Sequence, residues 1–278
     1  MPKLTVLIPC KDELAHIVSC IASVRPIADE ILVADSGSTD GSLEAVRALS
    51  DCRVIEREYI NSANFKNWAI PQARHEWVLV VDADERVTPA LAGEIKRLLA
   101  IDPTCDGYSL RRDNFFLGHP IRHSGWSTSR LVRLFRKSVS RYETRRVHAN
   151  VVFDSNKIGQ LVHPLEHHTA LDLDRFVAKQ HRYANWSALD AFDAGKRSTW
   201  LRMLTHAPLR FLQLYLLRLG LLDGRAGLVV CGLAAWYSFL KDAKLWALQN
   251  GSNEIPLPSA EGGERSESGE GIPHRVAA

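Results

Sequence analysis

Over the first hundred residues, short apolar runs alternate with stretches of helical period. "LTVLIP" (Leu4 to Pro9) reads as a buried strand, and behind it Leu14, Ile17, Val18, Ile21 and Val24 share one helical face. "EILVAD" is a second strand, followed by the turn "SGSTDGS" and a helix running to Leu49. "RVIE" gives a third, and after a polar loop at Asn61 a helix through Trp68 leads to a fourth, "EWVLVV". Thr88 is placed to cap the next helix, with Pro89 at its first position and "ALAGEIKRLLA" as its body. Apolar strands each followed by a helix predict an α/β fold, a parallel sheet covered on both faces.

The pattern changes at Gly107. "GYSLRR", "RLVRLFRK", "VHANVVFD" and "GQLVHPLEHHT" mix apolar and polar positions with no clear helix between them, which predicts antiparallel strands that complete a mixed sheet and build a second wall. Helical period returns in "LDLDRFVAKQHRYANWSALDAF" and in "APLRFLQLYLLRLGLLDGRAGLVVCGLAAWYSFLKDAKLWALQ". From Gly251 the chain is rich in Gly, Ser, Glu and Pro, has almost nothing to bury, and reads as disordered. The expected organisation is a sheet domain over 1–170, a helical region over 171–250 and a tail over 251–278.

A chain of 278 residues can bury a sizeable core, and a formal charge of +3 gives no support to a nucleic-acid partner. Five cysteines, an odd number without the close pairing of a zinc or redox motif, point to a reducing compartment. The apolar stretch in "MPKLTVLIPCKDE" is too short for a signal peptide, so a cytoplasmic location is expected.

The chemistry concentrates at strand ends. "DADER" (Asp82 to Arg86) places two carboxylates behind the fourth strand, and Asp35 ends the second. In open parallel sheets ligands bind beyond the carboxyl ends of the strands, so these acids are expected to open onto one crevice. Carboxylates at i and i+2 leaving a strand reach one hard divalent cation, which prefers oxygen ligands and often shares them with a substrate diphosphate. A solvated turn is the plain competitor for this motif.

"LTVLIPCKDE", "DEILVADSGSTDGS", "NFKNWAI" and "WVLVVDADERVTP", in this order and at these intervals, resemble glycosyltransferase family 2 with its GT-A nucleotide-diphospho-sugar fold. "GWSTSRLVRLFRK", "VHANV" and "LEHHT" extend the resemblance, toward the bacterial lipopolysaccharide-core subgroup, over about the first 170 residues. A weaker match follows in "LRFLQLYLLRLGLLDGRAGL". The resemblance implies an inverting transferase that moves a sugar, by default a hexose on UDP, from a nucleotide diphosphate to a lipopolysaccharide or other glycolipid acceptor with a divalent metal, Mg2+ or Mn2+. It implies that Pro9 and Glu13 line the nucleotide pocket, Asp35 meets the base, and Lys66 and Asn67 lie near the donor. Asp82 would face ribose or metal and Asp84 would ligate the metal, with His167 as a third ligand. Lys66, Arg130 and Arg133 are cationic candidates for stabilising the leaving diphosphate.

Two positions depart from the family pattern. Where the subgroup reads Val-His-Glu, this chain has Val147, His148 and Ala149, so the expected acid is missing and the acceptor base falls to Asp113, Glu143, Asp154 or His148. Asp12 stands where the family usually has Asn.

Plainer roles compete for the same residues. Asp35 also fits as a turn cap, Lys66 as a solvated helix residue, and His148, His163, His167 and His168 as ordinary strand residues. Trp126 reads as a sugar platform or as core.

"AGLVVCGLAAWYSFL" is too short to span a bilayer, which takes ~20 apolar residues. Arg210, Arg218, Lys241 and Lys244 among Leu, Phe, Tyr and Trp fit a helix pair lying peripherally on the anionic inner face of the cytoplasmic membrane, with a packed helical hairpin or dimer partner as the competing reading. An aspartyl phosphatase is disfavoured because its acidic motif follows the first strand, and a dinucleotide oxidoreductase because no glycine fingerprint follows "LTVLIP". The rival of another kind is a non-catalytic nucleotide-sugar-binding scaffold on the membrane, which the missing acid at Ala149 would suit.

Overall fold

The computed structural model describes residues 2–126, 130–143, 150–153, 157–170 and 172–251. His148, Ala149, Asp154 and the tail read as disordered lie outside these residues, apart from Gly251 at the tail's start. The described chain falls into two compact units, one built from residues up to Asp113 together with Arg130–His167, the other from Asn114–Trp126 and the chain from His168 on.

In chain order the elements are β1 (Leu4–Cys10), α1 (Ile17–Val24), β2 (Glu30–Asp35), α2 (Ser42–Arg47), β3 (Cys52–Glu56), α3 (Ser62–Ala69), β4 (Trp77–Val80), β5 (Glu85–Val87) and α4 (Pro89–Ala100). They continue with β6 (Gly107–Phe116), β7 (His119–Ile121), β8 (Arg130–Arg136), β9 (Ser140–Tyr142), β10 (Val151–Phe153), β11 (Ile158–Gln160), β12 (Leu165–Ala170), α5 (Leu173–Asp193), α6 (Trp200–Leu212) and α7 (Gly224–Gln249).

The main sheet has the order β3-β2-β1-β4-β8-β6-β12-β5. β1 is parallel to β2 and β4, and β2 to β3, while β8 is antiparallel to both β4 and β6. Successive residues of β1 point to opposite faces, and both faces are buried. Leu4, Val6 and Ile8 join Ile17, Ile21, Leu91 and Ile95 on one side, and Leu7 joins Leu32, Phe65, Ala69 and Phe135 on the other. That double burial is why the first strands read as continuous apolar runs. The cap expected at Thr88 forms, its hydroxyl accepting from Leu91 N at 3.2 Å.

The later strands differ from the expectation. β11 runs parallel, not antiparallel, to β6, and β9 pairs with β10 in a separate two-stranded ribbon. The short strands β5, β7 and β9 were not legible, because three residues are too few to show a period. β6 and β12 each run on from the first unit into the second.

In the second unit β7 pairs with the end of β6, and α7 packs along both α5 and α6. α6 begins at Trp200, seven residues before the expected "APLR" start, with Thr199 as its cap accepting from Arg202 N at 3.3 Å. No helix among the described residues is long and apolar enough to cross a membrane.

Candidate active site

β1, β2 and β4 end on the same edge of the sheet, and their loops carry the predicted residues. The loops after β1 and β2 are stitched together. Glu13 N donates to Ser42 Oγ at 2.8 Å, Leu14 N to Asp40 Oδ2 at 3.0 Å and Asp12 N to Ser38 Oγ at 3.0 Å. Asp12 sits at φ +52° and its carboxylate accepts from Thr39 N at 2.7 Å. A left-handed backbone and a short polar side chain bonding a neighbouring loop suit Asn and Asp alike, which accounts for the exchange at this position. Pro9 is buried in β1, and Glu13 is buried where α1 begins.

Asp35 is enclosed and organises the turn behind β2. Its Oδ1 accepts from the backbone N–H of Gly37 and Ser38, both at 2.8 Å, and its Oδ2 from Ser38 Oγ at 2.6 Å. The turn-capping competitor for Asp35 is therefore present in the structure, at the sheet edge where a base would meet it.

"DADER" is a buried, tightly bonded turn and not a solvated one. Glu85 N donates to Asp82 O at 2.8 Å, and Asp82 N donates to the Glu85 side chain at 2.9 Å. Arg86 returns its guanidinium to the carbonyls of Ala83 and Glu85 at 3.0 and 2.7 Å. Asp82, Asp84 and Glu85 are each at most 1% exposed, so three carboxylates are packed into four residues away from water.

Cations balance two of them. Asp82 binds Arg133 through Oδ2, and its Oδ1 lies 3.2 Å from Lys66 Nζ. Glu85 Oε1 takes Arg133 at 2.8 Å and lies 3.7 Å from Arg112. Burial alone would raise the Asp82 carboxyl, but Arg133 and Lys66 more than offset it and hold the group below the usual carboxylate range. At Glu85 burial and the charge of Asp82 win over Arg133 and Arg112, and its pKa stands above the ordinary value.

Asp84 faces a different partner. Its Oδ2 lies 3.5 Å from His167 Nε2, and both side chains are enclosed. His167 is delivered by β12, whose Leu165–His167 segment pairs antiparallel with Val87–Glu85. An ion with metal–ligand distances of about 2.1 Å spans ligands roughly 3 to 4 Å apart, so this carboxylate–imidazole pair fits a divalent cation. Asp82 does not fit as a third ligand, since its oxygens are engaged by Lys66 and Arg133. No group of three or more His, Cys, Asp or Glu side chains is disposed around a common metal position among the described residues. Mg2+ usually takes one or two carboxylates with substrate phosphates completing its shell, a pattern that Asp84 meets and the imidazole of His167 departs from.

The other predicted residues are spread out. Asn67 clamps Tyr142, donating from Nδ2 to its carbonyl at 3.0 Å and accepting from its N–H at 2.8 Å, while Lys66 Nζ lies 5.5 Å from the Tyr142 ring centre. Arg130 directs its guanidinium to the carbonyls of Leu161 at 2.6 Å and Ser109 at 3.2 Å, a cross-link between strands and not a member of the acidic cluster. Of the base candidates, Asp113 is exposed on β6 and Glu143 is half-buried just after β9.

His163 receives its fold position from Glu94, which accepts its N–H at 2.9 Å, and His168 stacks on Phe115 at 5.0 Å. Trp126 is buried and edge-on to Phe116 at 6.3 Å, which is core packing. Sequence reading missed Glu85 and Arg112. The alternation Tyr108, Leu110, Arg112, Asn114 along β6, all buried, was the available signal for Arg112.

A mixed α/β sheet covered on both faces, with buried acids gathered beyond the ends of its parallel strands, has a GT-A-like fold. Residues 5–155 match the family described as Glycosyl transferase family 2, and the chain belongs to that family and is a glycosyltransferase. It is 30% identical over 254 residues to the lipopolysaccharide core biosynthesis glycosyltransferase LpsC of Rhizobium meliloti (strain 1021), covering 88% of this chain and 93% of that one. It is 27% identical over 256 residues to an uncharacterized glycosyltransferase of Rickettsia bellii (strain RML369-C), covering 87% and 86%. Among solved structures, S. aureus TarS 1-349 in complex with UDP has a TM-score of 0.46 at 13% identity, over 90% of this chain and 92% of that one.

Proposed function

We propose that this enzyme moves a sugar, a hexose by default, from a UDP-type nucleotide diphosphate donor to a lipopolysaccharide-core or related glycolipid acceptor, with inversion, at the inner face of the cytoplasmic membrane. The likeness to LpsC supports the acceptor class. The Asp84–His167 pair carries the donor side, because two enclosed metal-type ligands 3.5 Å apart sit at the sheet edge where such donors bind.

Asp84 and His167 would hold Mg2+ or Mn2+, which when bound neutralises charge building on the departing diphosphate. Asp82, locked by Lys66 and Arg133, keeps the turn rigid so that Asp84 is presented without rearrangement. Pro9, Glu13 and Asp35 form the loop floor for the nucleoside. The acceptor proton goes to Glu143, Asp113 or His148, of which Glu143 is half-buried and Asp113 exposed. The helical unit supplies the membrane contact.

Calorimetry with UDP and UDP-glucose, with and without manganese, tests the donor site. Manganese-dependent binding by the native protein that Asp84→Ala abolishes is the expected result, and absence of UDP binding under every metal condition would reject a UDP donor.

A further inference from the structure

α5 buries a lysine that no acid among the described residues answers. Lys179 is 4% exposed, and among the described residues its Nζ meets no hydrogen-bond acceptor and no carboxylate. The face of the Tyr183 ring lies 5.7 Å from Nζ. A cation–π contact contributes about 0.5–2 kcal/mol, whereas removing an ammonium from water costs several, so the ring alone does not explain the burial.

One turn on, Arg182 repeats the situation with a buried Nε that meets no acceptor among the described residues. At 100° per residue, Lys179, Arg182, Tyr183 and Trp186 fall on one helical face, and the last two stack with ring centres 6.0 Å apart. The acids of α5, Asp174, Asp190 and Asp193, all lie toward its two ends, outside this stretch.

We propose that Lys179 and Arg182 form an anion subsite for a phosphate or diphosphate group. Ammonium and guanidinium groups both bind phosphate oxygens, the two residues lie one turn apart on a single face of α5, and the aromatic rings on that face lower the local dielectric. The phosphate has two sources under the transferase reading, the donor diphosphate or a phosphorylated acceptor. The inference rests on that reading for the source only, not for the subsite.

The test uses the full chain at fixed ionic strength, with inorganic pyrophosphate, UDP, uridine and a monoalkyl phosphate as probes, in the native protein, Lys179→Met, Lys179→Arg and Arg182→Gln. Pyrophosphate is expected to raise the native melting temperature, Lys179→Met to weaken its binding at least tenfold, and Lys179→Arg to restore part of it. A matching loss of UDP affinity with uridine unchanged assigns the donor. Unchanged UDP affinity with a tenfold loss for the monoalkyl phosphate assigns the acceptor.

A Lys179→Met protein that melts higher than the native one and binds every anion equally well would overturn the subsite and make Lys179 a mere burial cost. Arg182→Gln, at a half-buried position, decides the same question if Lys179→Met does not fold: unchanged pyrophosphate affinity overturns the proposal, and a several-fold loss supports it. Pyrophosphate binding that persists in Asp84→Asn separates this subsite from the donor-metal reading.

Discussion

At the scale of single residues, the acids of "DADER" separate by what answers them. Asp82 is matched by two enclosed cations, Lys66 and Arg133, so its loss strands buried positive charge. Asp82→Asn is expected to lower stability by about 3–5 kcal/mol, the range for breaking a buried pair, as read by denaturant unfolding. Asp84 instead meets His167, at 3.5 Å. Asp84→Asn keeps the shape of the side chain and strands no lysine or arginine named above, so it should cost less stability than Asp82→Asn in the same unfolding experiment, while manganese-dependent UDP binding disappears. Equal destabilisation by the two variants would contradict the division of labour between them. The sequence shows that acids gather here, but not that Lys66 of α3 reaches Asp82 while Arg133 of β8 bridges Asp82 and Glu85.

At the scale of elements, the helical unit is held by contacts that tolerate no added atom. A Cβ on Gly227 of α7 would lie 2.0 Å from the carbonyl oxygen of Gly220, so the start of α7 and the turn before it touch backbone to backbone. Gly227→Ala is expected to force them apart and lower the melting temperature by several degrees, at a cost of about 1–3 kcal/mol for overpacking. A second tie is Asp242 of α7, fully enclosed, which binds His206 at 2.6 Å and Arg202 at 3.0 Å on α6. Burial alone would raise its carboxyl, but the bond from His206 and the charge of Arg202 hold it below the ordinary range. A depressed carboxylate contributes stability above its unfolded pKa of about 3.9 and loses it as pH falls through the folded value. The stability gap between native protein and Asp242→Asn, about 1.5–3 kcal/mol for bonds to a charged group, should thus close below about pH 4 in chemical unfolding. The parallel strands and α4 were legible because double burial and a capped helix leave strong local signals. β5, β7 and β9 were not, since three residues show no period, and β5 owes its strand character to β12, far along the chain. His167 was legible only through resemblance, for its place beside Asp84 depends on β12 pairing with β5.

At the scale of the whole molecule, the surface of α6 and the turns after it bears on the proposed glycolipid acceptor. Trp200, Leu201, Leu204, Leu209, Leu212 and Leu217 are all exposed, Trp200 and Leu217 by 72% and 79%. Lys196, Arg197, Arg202, Arg218 and Arg225 are exposed along the same stretch. The acids of the chain between Ala194 and Gly251, Asp223 and Asp242, have side chains at most 3% exposed and are spent on partners inside the unit. Asp223 alone accepts from Arg122 N, His123 N and Ser124 Oγ, each at 3.0 Å. What remains facing water is apolar and cationic, the combination that lies in the headgroup region of an anionic bilayer. The full chain is expected to sediment with vesicles containing about a third phosphatidylglycerol, and the bound fraction should fall as salt rises, because screening weakens the headgroup attraction. Leu204→Glu with Leu217→Glu should reduce binding at every salt concentration, since burial of each leucine contributes about 1.5–3 kcal/mol and a carboxylate reverses the local charge. Binding that is insensitive to both salt and these substitutions would instead mean that this face is covered by another protein surface, and would leave the acceptor without a membrane route through α6.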